Sequence, residues 1–308
     1  MATLTDMINE VSMNLSGYTL QQDRATHITA DVAATASTIA APITLALAST
    51  DSVGKGIVEI DEELFWVDNY DRVGNTATIA PYGRAYIGTT LAAHTAGTKV
   101  TIAPTFPRFT IKRAINDTIS AIGSSIFAAN TTTITSNSAV SAFRLPTTGT
   151  TLNIRNILAI AYQALGSSKE WIPIRSYRFD GNANSTAFTS GQTVSIYDYI
   201  PSGRSVQVVY ATDPTPFTTN AQEFATQTGL PESCKDLIIL GATYRLLSNL
   251  DPARASMISP QADETDSKRP YGSSQSITKQ VYSLFNQRLN EEVKSQQEKY
   301  PIRVHYSL

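Results

Sequence analysis

The apolar positions of this chain first fall into a helical rhythm. Leu4, Ile8, Val11 and Leu15 are spaced four, three and four apart, which stacks them on one face of a helix over residues 3–16. Thr3 is placed to cap it and Gly17 to end it. The rhythm returns after Phe106-Pro107 as Ile111, Ile115, Ile119 and Ile122, with Lys112, Arg113, Asn116 and Asp117 opposite, and predicts helix to about residue 127. Leu237, Leu240, Tyr244 and Leu247 mark a third helix within residues 231–250, which Asp251-Pro252 interrupts. Residues 259–274 mix Pro, Gly, Ser and charge, and predict an exposed loop. A last helix carries Ile277, Val281, Leu284, Phe285 and Leu289 on one face, becomes densely polar over 291–299, and stops at Pro301.

Between these stretches the period changes. From residue 27 to 103 the pattern is β, with an early strand at 42–45 and a run of β-branched and aromatic residues at 56–67. Gly74-Asn75 supplies a turn, residues 76–79 a further strand, and residues 98–102 a last one after a loop carrying Gly83, Arg84, Gly88, Thr89, Thr90 and His94. From 130 to 219 the helical signal vanishes. Strand-like runs at 153–164, 171–179, 193–199 and 205–212 are separated by turn residues such as Asp180-Gly181-Asn182 and Pro201-Ser202-Gly203.

The pattern therefore predicts an α+β fold. Residues 1–24, 106–129 and 220–298 would form a discontinuous helical bundle with two inserted antiparallel β modules, 25–105 and 130–219, of small barrel or sandwich type. Residues 299–308 remain as an extended C-terminal tail. In that tail Ile302, Val304 and Tyr306 alternate with Arg303, His305 and Ser307 before Leu308. Such a segment gains stability by adding a strand to a partner or filling its groove; pairing within the same chain, or no fixed structure, are the other readings.

Composition narrows the function. Charged residues make up only 16 % of the 308, against about 25 % in ordinary soluble domains, which suits a surface largely covered by neighbours or rich in β structure and loops. A formal net charge of −2 lacks the basic face that a dedicated nucleic-acid binder uses to neutralise phosphates, whereas a channel that lets DNA pass needs none. The single cysteine, Cys234, sits in an apolar helical pattern and reads as a small buried hydrophobe; no disulfide can form within the chain. Residues 1–18 lack the apolar run of a signal peptide, and no stretch has the length of a membrane span. The expectation is a chain made in a cytoplasm, soluble until it assembles, with no membrane partner.

The chemistry-bearing residues give no enzyme constellation. Glu59, Asp61, Glu62 and Glu63 are the densest acidic group; on a continuous strand Glu59, Asp61 and Glu63 would share one solvated face, or face a basic neighbour. His27, His94 and His305 are the only histidines, and none lies near a nucleophile motif such as G-x-S-x-G. His94 reads as a loop histidine that hydrogen-bonds backbone carbonyls and pins the Gly-rich turn, and Arg84 as a tie from the loop to the acidic strand face. Gly54-Lys55-Gly56 is too short for a nucleotide site, and Arg108, Lys112 and Arg113 read as a wet helix face. No cofactor, metal or catalytic residue is expected.

Residues 56–100 also resemble a segment that recurs in virion proteins of tailed bacteriophages, an "EID-E-hydrophobic-V" strand followed by a "GR-Y-GT-AAH-AG" loop. The matching residues are Glu59-Ile60-Asp61, Glu63, Val67, Gly83-Arg84, Tyr86, Gly88-Thr89, Ala92-Ala93-His94 and Ala96-Gly97. The segment is similar to the head-to-tail adaptor (connector) proteins. That resemblance implies a structural virion protein of the neck, a ring of twelve copies beneath the portal protein that extends the DNA channel and joins capsid vertex to tail. It implies as partners the portal, neighbouring copies and a downstream neck or tail protein, with the major capsid protein as a further candidate. Genomic DNA would pass without sequence-specific binding. It also makes Ile302, Arg303, Val304, His305, Tyr306 and Leu308 the portal-facing residues, while the residues themselves mark Arg84, Gly88 and His94 as loop-structuring. A tail-tube or baseplate component, or a virion-associated hydrolase, are the rival readings; the helical C-terminal half and the missing constellation speak against each in turn.

Overall fold

The computed structural model describes residues 2–18, 23–35, 37–137, 140–145, 153–165, 170–248 and 273–301. It is a mixed α+β protein whose described strands form three antiparallel sheets, none closed into a barrel. The chain divides into two compact units. One comprises Thr5–Ile115 and Ile239–Val281; the other comprises Met1–Leu4, Asn116–Ile238 and Tyr282–Leu308. The division runs through helices, so segments distant in sequence contribute to each unit.

In the first unit, α1 (Leu4–Ser16) buries Met7, Ile8, Val11 and Leu15, as the four-three-four spacing dictates, and leaves Met13 exposed. After β1 (Arg24–His27) and α2 (Ser37–Ala40), the chain builds β2 (Ile43–Ala46), β3 (Gly56–Ile60), β4 (Glu63–Asp71), β5 (Thr76–Ile79) and β6 (Lys99–Ile102). These six strands lie in the order β1-β6-β3-β4-β5-β2. The two edges meet at the single bridge Ile28–Leu47, so the sheet curls strongly without becoming the barrel that was one of the two expected forms. Its concave side holds Ile28, Leu45, Val58, Ile60, Phe65, Val67, Ile79 and Val100, all buried together. Each such side chain contributes about 1.5–3 kcal/mol.

The acidic run does not form one strand. The chain reverses at Asp61-Glu62, pairing Ile60 with Glu63 and Glu59 with Leu64. Asp61 takes the left-handed backbone that this reversal needs, at φ 55°. The expected solvated face therefore does not exist: Glu59 and Glu63 are both buried, on different strands. The turn at Gly74-Asn75 falls between β4 and β5 as its residues require, with Asn75 at φ 50°.

The helix α3 (Arg108–Ile122) buries Ile111, Ile115, Ile119 and Ile122 and ends at Gly123, a full turn before the expected boundary. The helix α5 (Lys235–Leu247), which follows the short α4 (Phe224–Thr228), is wider in its burial than a single stripe. Leu237, Ile238, Ile239, Ala242, Leu246 and Leu247 are all buried, the mark of a helix surrounded on most sides. In α6 (Ser273–Lys299) Val281 and Phe285 are buried, whereas Leu284, grouped with them by spacing, lies on the exposed flank.

The second unit contains a sandwich. Its larger sheet has the order β10-β9-β13-β7, formed by β7 (Ala128–Thr135), β9 (Ile154–Gln163), β10 (Trp171–Pro173) and β13 (Ser205–Thr212). The smaller has the order β11-β12-β8, formed by β8 (Ala142–Arg144), β11 (Tyr177–Asp180) and β12 (Thr193–Ile196). Ile134, Ile157, Ile160, Val206, Val208 and Tyr210 from one sheet pack with Val194, Ile196 and Phe143 from the other. In the same unit the Asn116 amide holds Phe217 from both sides, accepting from its N–H at 2.9 Å and donating to its carbonyl at 2.9 Å. The tail residues Ile302, Arg303, Val304, His305, Tyr306 and Leu308 lie outside the described residues, as does most of the loop expected at 259–274.

Candidate functional site

Among the described residues, the densest cluster of chemistry-bearing side chains lies on the underside of the loop between β5 and β6, in the first unit. Its centre is Glu63, the first residue of β4, whose carboxylate is fully enclosed. Arg84 binds it in a fork, Nε to Oε1 at 3.0 Å and Nη2 to Oε2 at 2.9 Å. The backbone N–H groups of Ala85 and Ala92 donate to the same carboxylate at 3.1 and 3.0 Å. His94 adds its Nε2 at 3.0 Å, and turns Nδ1 to Asp61 Oδ2 at 2.8 Å.

Arg84 also donates to the carbonyls of Ala33 and Ala92. Its guanidinium lies 5.1 Å from the centre of the Phe65 ring, and the His94 ring lies 5.7 Å from that same ring. A planar cation with several donors is the side chain that can join a carboxylate, two carbonyls and an aromatic face at once. Thr89 completes the fastening: its Oγ1 accepts from Leu64 N–H at 3.1 Å and donates to the Tyr86 carbonyl at 3.1 Å. The His94 backbone pairs with Val32 on its other side.

With carboxylates opposite both ring nitrogens, His94 must donate from both, so it is an imidazolium. The quartet then carries two negative and two positive charges. Burial opposes the charge on Glu63, but the bonds from His94, Arg84 and the two amides outweigh it and hold its carboxyl down at about 2. Burial likewise works against the His94 charge, and the bonds to Glu63 and Asp61 reverse it, raising its affinity for a proton.

Above this clamp the loop is strained and apolar. Tyr82, Ala85 and Ile87 all have positive φ, at 59°, 49° and 55°, a conformation that costs about 1–3 kcal/mol at each non-glycine position. Gly88 follows at φ 78° without that penalty. Gly83 is required for space instead: a Cβ there would lie 2.8 Å from the Ala80 carbonyl and 2.9 Å from that of Trp66. Tyr82 and Ile87 are 71 % and 64 % exposed, and Tyr86 rests on the Trp66 indole at 5.4 Å between centroids.

A second acidic site lies on the neighbouring strand. Glu59 accepts the backbone N–H of Arg108 at 2.6 Å, at the start of α3. Burial dominates there and pushes its carboxyl up to about 7, although the Arg108 bond and charge pull the other way. Nearby, Lys112 pairs with Glu62 at 3.0 Å. In the second unit, Cys234 is buried beside Glu292 in the wall of a cavity of about 350 Å³. Burial and that carboxylate push its thiol up to about 12, which leaves no thiolate for chemistry near neutral pH.

The sequence singles out Arg84, Gly88 and His94, and the fold gathers Arg84 and His94 around one carboxylate, with Gly88 in the loop they secure. His94 departs from its expected partners: its ring takes two carboxylates, not carbonyls. Glu63 as the hub and Thr89 as a fastening are not evident from the sequence, because both depend on the reversal at Asp61-Glu62. Arg108 and Lys112 contact Asn9, Glu59 and Glu62 within the first unit.

The arrangement is suited to holding a loop. Neither His94 nitrogen is open to take a proton from a substrate. Among the described residues no group of three or more His, Cys, Asp or Glu is placed to hold a metal ion, and no helix is long and apolar enough to cross a membrane. Compared with known proteins, the chain matches no family model and no curated sequence.

The ionisable groups set a pH signature for the first unit. Glu63 is lowered from 4.5, so its stabilisation is complete above 4.5 and disappears as pH falls through about 2. His94 is raised above 6.5, so its contribution is complete below 6.5 and lost at higher pH. Glu59, raised from 4.5 to about 7, makes the fold progressively less stable as pH climbs between those values. Thermal melts should show greatest stability near pH 4.5–5. In Glu59→Gln the decline between 4.5 and 7 should flatten, while the loss above 6.5 remains; an unchanged profile would contradict the assignment of Glu59.

Proposed function

We propose that this protein is a structural component of a tailed-phage virion, a head-to-tail adaptor that forms a ring beneath the portal and joins the capsid vertex to the tail. The observation that carries this reading is the coincidence of two sets of residues. Of the residues that carry the resemblance to adaptor proteins, Asp61, Glu63, Arg84, Thr89, Ala92 and His94 also build the buried clamp. The resembling segment is therefore a folded unit with one internal logic. Its product is a rigid, partly apolar loop, a form suited to contact with a neighbour. The low charge content supports the same reading, since a ring subunit covers much of its surface with other subunits.

In this account the helices form a discontinuous bundle that serves as the hub of the ring. The C-terminal tail, residues 302–308, meets the portal. Neighbouring copies in a twelve-fold ring and a neck or tail protein below are the remaining partners, with the major capsid protein a further candidate; DNA passes through the channel unread. Deleting residues 302–308 should abolish portal binding in a pull-down while the thermal melt of the monomer stays unchanged. Full retention of binding would remove the tail from the interface.

A further inference from the structure

We propose that His94 is a proton-operated latch: its charged ring ties the loop after β5 to the β3–β4 turn through Glu63 and Asp61, and surrender of one proton to solvent releases the Asp61 side. The two partners differ in what they can do without the ring. Glu63 keeps Arg84 and the Ala85 and Ala92 amides when His94 is neutral. Asp61 has a side chain 62 % exposed and can turn to water. A neutral imidazole would therefore keep its N–H on Glu63 and present a lone pair to Asp61, two acceptors 2.8 Å apart that must separate.

The charged groups around the ring are few. Glu63 comes from β4, Asp61 from the turn and Arg84 from the loop itself; Asp31, on the segment that pairs with His94, accepts the Ala96 N–H at 2.7 Å. The two carboxylates in contact outnumber the single guanidinium, which is why the ring holds its proton beyond the ordinary histidine range. Asp61 is also the residue whose positive φ makes the turn, and the loop opposite carries three more strained residues. Losing the tie to Asp61 lets the turn shift while the Glu63 bonds keep the loop anchored, so the setting of the exposed Tyr82 and Ile87 changes without the clamp opening. The proton thus controls how the apolar loop is presented.

Trp66 is the natural reporter. Its indole packs at a tilt against Tyr86, its backbone N–H donates to the Gly83 carbonyl at 2.7 Å, and its backbone carbonyl accepts from the Ala80 N–H at 3.1 Å. In full-length protein with Trp171→Phe, so that Trp66 is the only tryptophan, fluorescence should change reversibly and sigmoidally as pH rises above the ordinary histidine value of 6.5, with far-UV circular dichroism constant. Adding Asp61→Asn, a surface change that leaves the Glu63–Arg84 fork intact and takes one carboxylate from the ring, should move the midpoint down. Adding His94→Gln should abolish the transition. A flat trace, a midpoint unmoved by Asp61→Asn, or a parallel loss of circular dichroism showing global unfolding would each overturn the proposal.

Discussion

Replacing Arg84 with methionine will lower the stability of the protein by about 3–5 kcal/mol, the cost of stripping one partner from a buried ion pair. The side chain is fully enclosed and delivers both of its strong bonds to a carboxylate that is itself fully enclosed. Methionine fills much of the volume but leaves Glu63 with a buried charge and the Ala33 and Ala92 carbonyls without that donor. Lys112→Met provides the contrast. It breaks a partly exposed pair with Glu62, and should cost only about 0–1 kcal/mol. Urea unfolding of both variants measures the difference; equal effects would show that the Arg84 fork contributes no more than a surface contact.

The second large effect is expected beneath the clamp. Phe65 is fully buried in the curled sheet and forms the floor on which Arg84 and His94 rest. Phe65→Ala should cost about 3–5 kcal/mol through the cavity it leaves. Phe65→Leu, which retains most of the bulk, should cost about 1 kcal/mol from packing, with a further loss of the ring's attraction for the guanidinium. If Phe65→Ala cost no more than Phe65→Leu, the bulk of the ring would contribute nothing, contradicting its role as the packed floor of the clamp.

The parts of the fold that were legible in the sequence are those governed by local periodicity. The isoleucines of α3 and the apolar positions of α1 name their own buried faces, and β13 can be read residue for residue from its β-branched run. Reading failed where local and long-range physics disagree. Asp61-Glu62 has no glycine, proline or asparagine to announce a turn, so residues 56–67 read as one strand. The reversal is set by the pairing of Gly56–Ile60 with the strand after it. Arg24–His27 is polar and mostly exposed, and becomes strand only because β6 offers it an edge. The run at 171–179 contains two strands in different sheets, separated by the buried Ile174, a division that alternation cannot show.

The candidate site was half legible for the same reason. A lone arginine and histidine in a Gly-rich loop advertise hydrogen bonding, but their common partner depends on which way Glu63 faces. That direction follows from the hidden turn, because a change of one residue in strand register exchanges the two faces. Once Asp61-Glu62 is recognised as a two-residue reversal, Glu63 faces inward and a buried carboxylate demands cations. Arg84 and His94 are the basic side chains the loop supplies.

The central claim is that this chain is an assembling neck component, and mass measurement tests it most directly. Sedimentation of the purified protein alone, and after mixing with the portal complex of the phage the proposal assigns it to, gives the particle mass in each state. The account predicts a monomer alone and a defined multi-copy ring with portal, of mass consistent with twelve chains. A protein that stays monomeric beside the portal, or that builds tubes without it, would contradict the account and favour a tail component instead.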